Sequence, residues 1–348
     1  MLKKYSSFLT GSQPYQHAIY VGDLILETNK HTIFQKIEEL EKICIADLKA
    51  FSSELLSTSF LEVLVHGNSS VSEAQSIANH FVEKLGSGSA HVNLPEQRVI
   101  QLKDESLNVY KFRGFNETNV NNVVEIILQV GPTDIRENAK LAFLKHIIQE
   151  PCFDELRTKE QLGYIVHTSI KTSGDNIKSL LFLIQSDLYD ASFLDDRVEA
   201  FLEGYKTTLA SMSDDEFKSH VNAVEQLFLE KDKNLGEETS RYWNVISNRS
   251  YNFDRYQKLA SEVKVLTLSS VLAFFDKYIA VHGSHRKKLS IQLYGSSKQD
   301  EFEKGVEAKD DLIVIDHIDD FKRSCSQYPL QESVDVSAYK MIGAQKEK

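Results

Sequence analysis

The sequence predicts an α+β fold, on three observations. From residue 99 onward the pattern runs strands, then helices, then a strand again, with residues 99–102, 109–113, 123–130 and 289–294 reading as strands. Residues 164–170 and 179–186 form a hairpin signal turned at Ser173-Gly-Asp-Asn176, one antiparallel pair in a sheet expected to be mixed and mostly antiparallel. Helix starts carry capping residues, and the periodic apolar positions behind them gather the helices on one side of the sheet.

The elements follow in order. Ile33, Ile37, Leu40 and Ile43 recur at helical spacing, residues 60–65 read as a strand, and Ser70 with Glu73 is a capping box. The helix behind that box carries Ile77, Phe81 and Leu85 on one face. Small residues crowd 86–95, which reads as a boundary. Asp134 and Glu137 open a helix with Leu141, Leu144, Ile147 and Ile148 on its apolar face, and Pro151 is expected to end it and to suit the first turn of another short helix. Two long helices follow, one with Val198, Phe201, Leu202, Tyr205 and Leu209, the other capped by Ser213 with Glu216. A helix around Val271, Phe274, Phe275 and Tyr278 precedes the last strand. Beyond Ser296 the chain is polar and reads as a tail packed across the surface.

Composition excludes several classes. The chain is 41% hydrophobic and 26% charged, the balance of a globular protein. No run reaches the ~18 apolar residues of a membrane span. The net charge of −11 comes without a clustered basic stripe, which argues against nucleic acid. Cys44, Cys152 and Cys325 are isolated and odd in number, so each is expected to be a small buried apolar side chain. A cytoplasmic, reducing compartment is the expectation.

The stretch Glu150-Pro-Cys-Phe-Asp-Glu-Leu-Arg-Thr-Lys-Glu-Gln-Leu-Gly-Tyr-Ile-Val166 resembles the insulin-degrading-enzyme (insulysin) branch of the pitrilysin family of inverzincin peptidases. Pro14-Tyr-Gln-His-Ala, Leu64-Val-His-Gly-Asn68, Arg197-Val-Glu-Ala-Phe-Leu202 and Tyr251-Asn-Phe-Asp-Arg255 resemble family segments in family order. The resemblance implies the C-terminal half of such an enzyme: a partial third domain over 1–88, a complete fourth over 89–296, and a tail over 297–348. It also places Met1 close to a helix interior, leaving apolar surface for a second copy or an N-terminal half to cover.

Family members hold zinc through an inverted His-x-x-Glu-His helix, whose two histidines share a face while the glutamate deprotonates the metal-bound water. No such motif occurs here. His80 has Glu83 but then Lys84; His146 has Glu150 but no adjacent histidine; His282 and His285 lie in a Gly-Ser turn beside Arg286-Lys-Lys288. The expectation is therefore no metal or other cofactor in this chain, with zinc supplied by an N-terminal half.

On spacing alone, Arg157 reads as a helix-surface partner of Asp154 or Glu160, and Tyr164 as a half-buried strand aromatic. The resemblance reassigns both, to holding the substrate main chain and supporting the carbonyl under attack. Fully extended chain would hold them over ~20 Å apart, so a turn is needed, and Gly163 is its expected source. The implied function is the substrate-binding, non-catalytic half of a zinc endopeptidase, inactive alone. Its partners would be peptides, an N-terminal catalytic half and a second copy. A peptide-binding or regulatory module without peptidase activity remains the alternative.

Overall fold

In a computed structural model of the chain the residues described are 1–57, 61–85, 97–132, 134–174, 176–306 and 311–330. The expected boundary at 86–95 lies outside them, as does Phe60. The first elements are helices α1 (Leu2–Gly11), α2 (Pro14–Leu26), α3 (Ile33–Lys42), α4 (Ile45–Ser57) and α5 (Val71–Leu85). Strands β1 (Ile100–Gln101), β2 (Ser106–Arg113) and β3 (Asn122–Gly131) lead into helix α6 (Ile135–Cys152) and a π-helix, Phe153–Lys159. The hairpin is β4 (Ile165–Ser173) and β5 (Ile177–Ser186). Helices α7 (Ala191–Ala210), α8 (Asp214–Leu229), α9 (Leu235–Ser247), α10 (Arg255–Lys264) and α11 (Leu268–Tyr278) precede β6 (Lys287–Tyr294). The last elements are α12 (Gln299–Glu303), β7 (Leu312–Val314), α13 (Ile318–Ser324) and β8 (Ser326–Gln327).

The described residues form two compact units, one drawn from 1–32, 97–230 and 254–329, the other from 33–85, 231–253 and 330. The first unit is built on a six-stranded sheet in the order β4-β5-β3-β6-β2-β7, antiparallel except where β2 pairs with β6 and β7. The α+β class is observed. On one face, Val124, Ile126, Leu128, Leu180, Phe182 and Ile184 pack with side chains of the helices that follow the sheet's first strands, including Leu144 of α6, Leu202 of α7 and Phe275 of α11. Burial of each such side chain contributes about 1.5–3 kcal/mol.

The sequence expectation of helices on one side is incomplete. The opposite face is covered too, by Ala18, Val21 and Ile25 of α2, which pack with Val123, Ile127, Leu181, Leu289, Ile291 and Leu293 of the sheet. With both faces covered, every residue of β3 is buried. A carboxylate crosses into this second layer: Glu125 is fully buried, 3.3 Å from Lys171, whose ammonium lies 2.7 Å from Asp23 of α2. Burial pushes the Glu125 carboxyl up to about 7 against the pull of Lys171. Burial would lower Lys171, but the Glu125 and Asp23 carboxylates outweigh it and raise its pKa.

The segment after Ser296 is more than a surface tail. Its β7 adds to the sheet beside β2, β8 pairs with β1, and Ile315, Phe321 and Tyr328 are buried in the second core. Residues 1–32 likewise sit with the sheet and not with residues 33–85, where a boundary at 88 would put them. The basic run Arg286-Lys-Lys288 is buried, although His285 beside it is exposed. Arg286 makes two hydrogen bonds to Glu199 of α7, at 2.7 and 2.8 Å, and Lys288 pairs with both Asp195 and Glu199. Burial works against the charged form of Glu199, yet the two cations outweigh it and hold its carboxyl well below the usual range. Of the cysteines only Cys152 is buried; Cys44 is exposed on the chain between α3 and α4, and Cys325 is partly buried against the second core.

In the second unit, residues 61–66 form no strand, since no neighbouring strand is at hand to pair with them among the described residues. The Ser70–Glu73 capping box is present: the Glu73 N–H donates to Ser70 Oγ at 3.3 Å, and the Ser70 N–H to Glu73 Oε2 at 2.7 Å.

Candidate functional site

Helix α6 starts where the sequence predicts. The Asp134 carboxylate accepts from the Arg136 and Glu137 N–H groups at 2.8 and 3.0 Å. Pro151 does not end the helix; it is the penultimate residue, and the chain continues into the π-helix. The wider turn is visible in the Glu160 N–H, which donates to the Glu155 carbonyl five residues back at 2.9 Å. The Leu162 N–H then reaches the Leu156 carbonyl at 3.0 Å, with Gln161 between them at φ 54°. That closure over a left-handed residue is one residue wider than the Schellman bond of an α-helix, as suits the end of a π-helix, and Leu156 and Leu162 are both buried.

Gln161, not Gly163, therefore makes the turn. Gly163 is needed for another reason: a Cβ there would lie 2.0 Å from the Gln185 carbonyl oxygen on β5. The close approach of the two backbones sets Tyr164 at the start of β4.

The turn brings Arg157 and Tyr164 together. The Arg157 guanidinium carbon lies 5.8 Å from the Tyr164 ring centroid, a cation–π distance. Tyr164 is 87% exposed, so it is not the half-buried strand aromatic that spacing alone suggests. The acids that spacing offers to Arg157 are engaged elsewhere. Glu160 accepts two hydrogen bonds from Arg197 of α7, at 2.7 and 2.6 Å, and Asp154 pairs with Lys159 at 2.9 Å. An always-charged fork of donors and a phenol thus stand side by side at the surface.

Beside them runs a groove of about 430 Å³ between α6 and β4, lined by His146, Gln149, Glu150 and Phe153 on one wall and Val166, His167 and Thr168 on the other. Burial holds the His146 imidazole below its usual range, helped by His220, whose ring centroid is 5.7 Å away, and by Lys145, while Glu150 opposes. Sequence reasoning did not find this groove. The α6 residues share a face at three- and four-residue spacing, but nothing local says that β4 lies opposite them.

The described residues offer no zinc site. Among the described residues no three His, Cys, Asp or Glu side chains group as metal ligands, and Lys84 stands where a second histidine would follow Glu83.

Human insulin-degrading enzyme is 36% identical over 287 residues, 81% of this chain and 28% of the relative. The Arabidopsis thaliana protein named insulin-degrading enzyme-like 1, peroxisomal, is 33% identical over 82% of this chain and 30% of its own length. The chain belongs to the insulin-degrading-enzyme family. It spans less than a third of the length of these relatives. A family model described as PQQ synthase PqqF-like, C-terminal lobe domain 4, matches residues 143–243, which include the π-helix, Arg157 and Tyr164. The fold agrees: a crystal structure of pitrilysin superposes with a TM-score of 0.79 at 20% identity, covering 94% of this chain and 34% of that one. A protease from Helicobacter pylori gives 0.54 at 15% identity, over 74% and 60%. The insulin-degrading-enzyme relatives make the chain a member of a metallopeptidase family. No helix among its described residues is long and apolar enough to cross a membrane.

Proposed function

We propose that this chain is the substrate-holding, non-catalytic part of an insulin-degrading-enzyme-type zinc endopeptidase, acting on peptides with a metal centre supplied by residues outside it. The single observation that carries the reading is the Arg157–Tyr164 pair, an exposed phenol beside a half-buried guanidinium, brought together by the π-helix and its closing turn. Arg157 offers a rigid set of N–H donors to main-chain carbonyls, so it holds peptides without regard to side chains. Tyr164 offers one O–H donor. When the scissile carbonyl is attacked, its oxygen gains negative charge, and a phenol and a guanidinium placed beside it lower the barrier. Neither residue is a nucleophile or a general base here, so the chain alone is inactive.

The partners on this reading are peptide substrates, a catalytic N-terminal half and a second copy of the chain. Support for a protein partner comes from α4, where Ile45, Leu48, Phe51 and Leu55 are all more than half exposed on one stripe. A cytoplasmic location is part of the same proposal.

The test is zinc content and cleavage of a quenched fluorogenic peptide, with the purified chain alone and mixed with a chain carrying His-x-x-Glu-His. We expect no cleavage alone and cleavage on mixing that falls by about 10²-fold in Arg157→Ala and Tyr164→Phe, the loss typical of one transition-state donor. Peptide binding with no activity on mixing would favour a regulatory binding module. Stoichiometric zinc and activity in the chain alone would overturn the proposal.

A further inference from the structure

We infer that the open edge of β4, with the groove between it and α6, takes an extended peptide as an added strand that continues from Arg157 and Tyr164. The inference rests on the main-chain-holding role proposed for those two residues and extends it to the mode of binding.

The sheet has two edges, and they are unlike. At one end β7 is three residues long. At the other, β4 is nine residues long and pairs with β5 in unbroken register from Ile165–Gln185 to Ser173–Ile177. No strand pairs with its outer side among the described residues. Alternate N–H and C=O groups of such an edge form a ready template for another chain. The usual devices that blunt an edge are missing along most of it. There is no proline, no bulge, and its lysine, Lys171, is turned away into the pair with Asp23 and Glu125.

The groove gives the template a second wall. Phe153 is half exposed at one end and presents an apolar surface toward the space that Val166 also lines. A volume of about 430 Å³ suits side chains projecting from an extended segment laid between a helix and a strand edge. Tyr164 immediately precedes β4, and the π-helix bearing Arg157 packs against that strand. A main chain held by the pair is therefore led onto the edge. Both parts of the site read backbone, so the ligand class is an unstructured peptide in extended form. The net charge of −11 favours a neutral or cationic one.

The experiment uses the full chain and two fluorescein-labelled synthetic peptides of valine, threonine and lysine, identical except that one is N-methylated at every backbone amide. Anisotropy is expected to show binding of the parent peptide and at least about tenfold weaker binding of the methylated one, since every hydrogen bond that the peptide N–H groups donate to the edge carbonyls is lost. Gln149→Trp, an exposed substitution on the groove wall, should weaken the parent peptide by about tenfold as well without lowering the melting temperature. Hydrogen exchange should slow in residues 165–173 on binding and stay unchanged in 312–314. Equal affinity for the two peptides, protection confined to other segments, or no binding at all would overturn the inference. So would a dimer that protects β4 and that the peptide leaves intact, because the edge would then be a self-interface. Binding lost in Arg157→Ala but indifferent to methylation would leave the main-chain pair standing without the strand. The reverse pattern would leave the strand without the pair.

Discussion

The two units are built from similar sequence patterns and differ in what covers them. In the first, periodic apolar residues disappear into two cores, one on each face of the sheet. In the second, the same periodicity yields helices whose apolar side chains are, apart from Ile33, half-buried or exposed. Among the described residues none of α4, α5 or α9 is buried, and Ile77 and Phe81, which share the face expected to be covered, are 44% and 49% exposed. Periodicity fixes the element and its sticky face, but not what lies over that face. The first unit carries its own cover; in the second the apolar faces of α4 and α5 are left exposed.

The largest effect that would break this contrast compares one substitution in each unit. Phe182 of β5 is 1% exposed at the centre of the first core, and Phe51 of α4 is 58% exposed. Phe182→Ala should cost about 3–5 kcal/mol in urea unfolding, from lost transfer energy and the cavity left behind. Phe51→Ala should stay within about 0.5 kcal/mol. A cost near that of Phe182 would mean that α4 is covered in solution, and a dependence on protein concentration would identify a second copy as the cover.

The first unit's double cover also has a cost that the second lacks. Sandwiching β3 leaves the Glu125 carboxyl fully buried with Oε2 unpartnered, and its pKa rises to about 7. Between its ordinary value and about 7 the folded state keeps a proton that the unfolded state has lost. Stability therefore falls as pH rises through that window, by up to roughly 3 kcal/mol once the carboxyl is ionised. Glu125→Gln removes the titration while Lys171 keeps Asp23. The variant should gain melting temperature over the parent at about pH 8 and show a much smaller difference at about pH 5. Parallel pH profiles would show that Lys171 offsets the burial and that the carboxyl titrates in its ordinary range.

Legibility in the sequence follows the same divide between local and distant causes. Asp134, Ser213 and Ser70 announce their helices because a cap is a contact over three residues. The hairpin is equally local. The cover on the second sheet face is not: it depends on α2, which ends more than 90 residues before β3, and on a polar C-terminal segment in which Ile315, Phe321 and Tyr328 are too sparse to read as core. At the site, Arg157 and Tyr164 are named by motif resemblance, and their convergence by structure. The π-helix has no periodic signature, and the left-handed turn falls on Gln161, a residue that gives no warning of it. Gly163 does give a signal, but its reason lies across the sheet at Gln185.

The smallest effect sharpens the comparison most finely, because the same local chemistry occurs in both units. Asp134 caps α6 and Ser70 caps α5, each accepting from a backbone N–H of the first turn. Asp134→Ala should cost about 1 kcal/mol of global stability, since α6 is packed into the first core and its fraying is coupled to the sheet. Ser70→Ala removes a comparable bond from a helix with no buried side chain, so about the same energy should appear only as faster hydrogen exchange within 71–85. The global midpoint should not move. If Ser70→Ala shifted it as far as Asp134→Ala, the second unit would unfold together with the first, and its exposed apolar stripe would belong to a cooperative whole and not to a surface awaiting cover.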